Sequence, residues 1–153
     1  MYDYLIQHAH ILDGSGADAF SGDVAVSGGS IAAVGDLSAA SAAHTIDAAG
    51  RYLTPGFIDI HRHGDSALFS PDYGKAELAQ GLTTVLNGNC GLSLAPVTGP
   101  HRDELLRYLA PIVGGLPEGR DFPTMADYRA QASTVPQRLN NGMLVGMGTL
   151  RAC

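Results

Sequence analysis

Thr54-Pro55-Gly56-Phe57-Ile58-Asp59-Ile60-His61-Arg62-His63 is the stretch on which the reading of the fold turns. Phe57 to Ile60 is an apolar run of strand length, bounded upstream by Pro-Gly and too short for a helix. Working downstream, Tyr73 to Gln80 is helix-like, with Gly81 placed to end it. Thr83-Thr84-Val85-Leu86 is β-branched and apolar, a second strand. His101 to Tyr108 reads as an amphipathic helix with Leu105, Leu106 and Leu109 on one side and Pro111 just beyond. Thr124-Met125-Ala126-Asp127 has the form of a capping box, Asp replacing the commoner Glu, and opens a helix to about Ala132. Gly142 to Gly148 reads as a third apolar strand. Strands alternating with helices imply parallel pairing in a βαβ sheet or barrel, so the expected class is α/β.

Upstream of the quoted stretch the pattern is different. In residues 1 to 54, Tyr2, Tyr4 and Ile6 alternate with Asp3, Leu5 and Gln7, a period of two. Asp23 to Val26 and Ile31 to Val34 flank Ser27-Gly28-Gly29-Ser30, a hairpin signal because tight hairpin turns need positive φ. The Ala/Ser-rich Leu37 to Ala43 reads as a loop or weak helix, and His44 to Asp47 as another short strand. The division expected is a small β-rich part over 1–54 and an α/β part over 55–153.

The totals narrow the function. The 153 residues are 45% apolar and 16% charged, with 20 glycines, a globular profile. A net charge of -6 offers no basic surface to nucleic acid or an anionic membrane. The first thirty residues show no basic start followed by an apolar run, so the expected compartment is the cytoplasm. Two cysteines, Cys90 and Cys153, make no disulfide framework.

On a pleated strand Phe57, Asp59, His61 and His63 face one way, and Ile58, Ile60 and Arg62 the other. Both imidazoles then project from the carboxyl end of a parallel strand, the end at which such sheets bind ligands, and both can reach one divalent ion. Asp59, one step deeper, is placed to orient a histidine through its other ring nitrogen. The second strand runs out into Asn87-Gly88-Asn89-Cys90-Gly91, with Leu86, Gly88 and Cys90 expected on one face. A thiolate there is a good zinc ligand; it is equally placed to be a nucleophile activated by a histidine, and the bland alternative is a buried structural cysteine. His8, His10, His44 and His101 lack such a setting and read as surface or strand residues. Arg62 either meets an anionic group or, by the pleat, points away.

The signature from Thr54 to His63 resembles strand one of the amidohydrolase superfamily. Gln80-Gly81-Leu82-Thr83-Thr84-Val85 followed by Gly88-Asn89-Cys90-Gly91 is similar to its D-aminoacylase branch, the N-acyl-D-amino-acid deacylases. The resemblance runs through essentially the whole chain. It implies the start of a (β/α)8 TIM barrel, about three strands, preceded by part of a small β-sandwich domain. It also implies a zinc-dependent hydrolase of non-peptide amide bonds in N-acyl amino acids, with one or two divalent ions. His61, His63 and Cys90 would be the metal ligands and Asp59 an outer partner. The cysteine would help hold a tightly bound zinc and the histidine pair a second, weaker position. A full barrel takes about 250 residues, so the remaining histidines and the catalytic carboxylate are expected beyond Cys153, none within this chain. Met147 stands where many members carry histidine. An alternative is a non-catalytic assembly module, since three barrel strands leave edges open to self-association; another is an amidohydrolase of the cyclic-amidase type.

Overall fold

The computed structural model describes residues 1–153 and divides into two compact units, Met1–Pro55 and Gly56–Cys153. In the first, β1 (Tyr2–Ile11), β2 (Phe20–Ser27), β3 (Ser30–Gly35), β4 (Ala42–Asp47) and β5 (Tyr52–Leu53) form one sheet in the order β3-β2-β1-β4, with β5 also on β1. β2 and β3 are the hairpin expected from Gly28-Gly29, both at positive φ. β4 and β5 run parallel to β1, a pairing no local signal announces.

β1 carries a bulge. Ile6 pairs with Val24, but Ala9 pairs with Gly22, so β1 spends one residue more than its partner. His8 takes up the slack at φ 58, its amide donating to Asp23 Oδ1 at 2.9 Å. The extra residue breaks the simple alternation. Leu5, not its tyrosine neighbours, is the fully buried residue of the first half. Ile6 and Ile11, five apart, line the same apolar cleft together with Phe20, Val24 and Ile31.

The second unit contains β6 (Phe57–Asp59), α1 (Lys75–Ala79), β7 (Leu82–Asn87), α2 (Arg102–Val113), α3 (Met125–Ala132), β8 (Asn140–Met143) and α4 (Met147–Ala152). β6, β7 and β8 are parallel, in that order, with helices in both crossovers. This is the α/β class the sequence implied. Gly81, the residue after the Gln80 C-cap of α1, adopts φ +85 and stops the helix. α2 buries Leu105, Leu109 and Val113, one per turn, against Leu94, Val97, Phe122 and Tyr128. α2 also runs on past its expected end, with Pro111 inside the last turn. The capping box is formed: Thr124 Oγ1 accepts the Asp127 amide, and Asp127 Oδ2 accepts the Thr124 amide, each at 3.1 Å.

The third strand is shorter and earlier than the apolar run suggested, ending at Met143, and Met147 opens a helix instead. The cause is tertiary. Gly146 packs so closely on the Gly91–Ser93 backbone that a Cβ would stand 2.6 Å from the Gly91 carbonyl oxygen. The amides of Gly148 and Thr149 both donate to that oxygen, at 2.9 and 3.2 Å. Thr149 and Ser93 then exchange buried side chain–backbone bonds. These bonds reward a helical turn over continued strand. No helix is long and apolar enough to cross a membrane.

Candidate metal centre

β6 stops at Asp59, so His61 and His63 lie on the extended segment just past it. That segment stays registered on its neighbour, because the Arg62 amide donates to Leu86 O at 2.9 Å. Arg62 itself turns to α1, where its guanidinium donates to Glu77 Oε1 at 2.6 Å, so it points away from the histidines. Asp59 Oδ1 accepts the backbone amide of His61 at 3.1 Å and its other oxygen lies 3.8 Å from Arg62. It contacts the His61 segment through the main chain, not through an imidazole.

β7 ends at Asn87, and Cys90 sits in a turn beyond it rather than on the pleat of Leu86 and Gly88. The turn is made by positive φ at Gly88, Cys90 and Gly91, the cysteine itself at φ 57. Glycine adopts that conformation freely; a residue with a Cβ does so only where its surroundings hold it there. The turn swings the thiol back over the first segment. His61 Nε2 stands 3.1 Å from Cys90 Sγ. The His61 and His63 rings meet edge to face with centroids 5.6 Å apart. One donor atom from each of His61, His63 and Cys90 falls within 4.8 Å of the others.

Three further residues, unremarked as site residues in the sequence, lock the two segments together. Asn87 Oδ1 accepts the Gly64 amide at 2.8 Å, and Asn89 Nδ2 donates to Arg62 O and Leu86 O. Asp65, fully buried, accepts the amides of Gly88 and Leu94. Burial pushes the Asp65 carboxyl above the usual carboxylate range, and those two amides pull the other way. The signal in the sequence was polar side chains clustered tightly round two strand ends, at positions where an apolar core would be expected. Met147, the first residue of α4, is largely exposed.

The donor set suits a borderline-soft divalent ion such as zinc. His61, His63 and Cys90 would be the residues to hold such an ion, and it would supply Lewis acidity there. The Nδ1 of His63 is buried without a hydrogen-bond partner, a state that costs free energy until something engages that nitrogen. The thiol–imidazole contact is also compatible with a nucleophilic pair, but no hydrogen bond orients the far side of the His61 ring.

Residues 44–135 match the amidohydrolase family model. The N-acyl-D-aspartate deacylase of Alcaligenes xylosoxydans xylosoxydans is 41% identical over 149 residues, 97% of this chain and 29% of that protein. The crystal structure of an N-acyl-D-glutamate deacylase from Bordetella bronchiseptica superposes with a TM-score of 0.86 at 36% identity, over 99% of this chain and 31% of that one. It was solved with zinc and a phosphonate mimic of the tetrahedral intermediate. A D-aminoacylase structure, described with a binuclear metal centre, superposes at 0.79 with 39% identity over the same shares. The chain thus spans about 30% of the length of the relatives it matches.

Proposed function

The chain belongs to the amidohydrolase family, and from that premise we propose that it supplies part of the metal centre of a zinc-dependent deacylase of N-acyl-D-amino acids, with His61, His63 and Cys90 as donors. The observation that carries this reading is the convergence of those three donors from two adjacent parallel strand ends. The acylated-amino-acid deacylases it is similar to, one of them holding zinc, support the substrate class and the metal. Zinc supplies Lewis acidity toward an amide carbonyl and toward water. The chain's own part is to hold the donors. His61 and His63 come from one extended segment pinned through Arg62 to Leu86, and Cys90 from a turn that Gly88 and Gly91 permit.

Neither carboxylate flanking the histidine pair, Asp59 or Asp65, is left free to face the donors. Asp59 is engaged by the His61 amide and lies beside Arg62, and both oxygens of Asp65 are engaged by amides. The carboxylate that moves the proton for the small-molecule substrate then comes, on this reading, from elsewhere in an assembled enzyme. On this reading residues 1–54 are part of a β-sandwich domain, 55–153 the first part of a TIM barrel, and the enzyme is cytoplasmic.

A second reading, a metal-independent thiol hydrolase, is favoured only by the 3.1 Å His61–Cys90 contact. Metal analysis and thiol chemistry separate the two. The purified chain is expected to retain or take up zinc, to lose it to chelators, and to leave N-acyl-D-amino acids uncleaved. Absence of zinc together with hydrolysis abolished by alkylating Cys90 sinks the metal reading and supports the thiol one.

A further inference from the structure

Asp65 is the most deeply buried charged residue of the second unit, and the proposed chemistry does not use it. A carboxylate with no exposed surface is costly unless its oxygens are satisfied. Here each oxygen has a separate task. Oδ1 accepts the amide of Gly88 at 3.3 Å, and Oδ2 accepts the amide of Leu94 at 2.9 Å. Those amides are the two ends of the loop that carries Cys90. Asp65 lies two residues past His63, and its main-chain carbonyl accepts the buried Tyr128 hydroxyl at 2.8 Å. Tyr128 is itself locked between Phe69 and Phe122 in the aromatic core. One residue thus joins the histidine segment, the cysteine loop and the core.

We propose that Asp65 is a positioning residue that presets the separation of Cys90 from His61 and His63, so that the three donors stand together before any metal arrives. The inference rests on the metal reading for its purpose but not for its geometry. An apolar residue of similar volume would fill the space, yet it would leave two buried amides unpaired at the ends of a loop that holds Gly88, Cys90 and Gly91 at positive φ. The carboxylate closes both ends at once, and bonds to a charged acceptor are stronger than neutral ones. The loop is then held at low conformational cost when the donors engage an ion, the advantage of any preorganised site.

The test pairs a variant with a measurement on the unaltered chain. Asp65→Asn keeps the shape and one acceptor oxygen, but sets an NH2 against the second amide. It is expected to fold, by circular dichroism, while its cobalt(II) affinity drops about tenfold or more, the scale seen when outer partners of metal ligands are lost. The cobalt–thiolate absorption should weaken with it. In the unaltered, metal-free chain the amides of Gly88 and Leu94 should already resist hydrogen exchange, and zinc should change that protection by less than about threefold. Cobalt affinity in folded Asp65→Asn within about twofold of the parent, or Gly88 and Leu94 amides unprotected until zinc is added, overturns the proposal. If Asp65→Asn does not fold, the exchange measurement decides alone. An unaltered chain that takes up no cobalt defeats the metal reading instead, and the protection of those two amides still decides whether Asp65 closes the loop.

Discussion

Alanine at Gly88 tests whether the Cys90 turn is as tightly fitted as its geometry implies. Gly88 sits at φ +77, where an L residue costs about 1–2 kcal/mol. A Cβ there would also fall on the Leu144 carbonyl, with the Leu144 amide nitrogen 3.1 Å away. That neighbour is backbone, tied in place by its own N–H donating to Asn87 O at 3.0 Å, so it cannot swing aside as a side chain would. Forced overpacking of this kind costs about 1–3 kcal/mol, and the two effects together predict a loss of about 2–5 kcal/mol. For a domain stable by about 5–15 kcal/mol that is a large share. Two controls divide the effect. Gly119→Ala meets nothing within 4 Å but keeps a positive φ, so it shows the backbone cost alone. Gly146→Ala has an ordinary φ of -67 but meets the Gly91 carbonyl, so it shows the clash alone. Urea unfolding followed by circular dichroism gives all three, and Gly88→Ala should be the least stable. A Gly88→Ala chain no less stable than Gly119→Ala would refute the close packing inferred between the Cys90 turn and the segment after β8.

Three other outcomes follow from particular contacts. Thr124→Ala removes the acceptor for the Asp127 amide at the start of α3 and should cost about 1 kcal/mol by the same unfolding assay. Zinc at about a hundred times its dissociation constant should stabilise the chain by about 2.7 kcal/mol, reversed by chelation; no shift on adding zinc speaks against a preformed site. The third concerns His8, whose imidazole is hydrogen-bonded to Asp47 at 2.9 Å. That bond and the carboxylate's charge raise the His8 pKa above its ordinary 6.5. The ion pair is therefore present below pH 6.5 for as long as Asp47, whose own pKa the His8 hydrogen bond lowers, stays ionised, and it is lost as pH rises through the raised His8 value. A proton-resonance titration should find the His8 midpoint above 6.5 and see it fall in Asp47→Asn; a midpoint unmoved by that change contradicts the pairing.

The parts of the molecule that were legible beforehand are those set by local chemistry. The Gly28-Gly29 hairpin, the Thr124 capping box and the Gly81 helix stop each depend on a conformation or bond that a few adjacent residues dictate. The parallel strands β6 and β7 could be read because apolar runs separated by a helical segment have few other ways to be buried. What escaped was set by distant partners. The bulge at His8 is held by Asp23, fifteen residues away, and nothing in Gln7-His8-Ala9 signals an extra residue. Gly142 to Gly148 has a strand's apolarity, yet its second half is drawn into a helix by Gly91 and Ser93. The same limit applied at the metal centre. His61, His63 and Cys90 were singled out from their strand ends, but the pleat put Cys90 on the face of Leu86. In the structure a left-handed turn, not the pleat, delivers the thiol to His61. Asp65, Asn87 and Asn89, which hold that turn, are recognisable only once both segments are seen side by side.

The central claim is that His61, His63 and Cys90 form one preassembled donor set for a divalent ion. A cobalt(II) titration of the 153-residue chain, read by its thiolate absorption, tests it most directly. Saturable binding is expected, with a thiolate band that disappears in Cys90→Ser, weakens in His61→Ala, and is lost on acidification as the donors take up protons. No binding, or binding whose spectrum is the same in the parent and in Cys90→Ser, would contradict it.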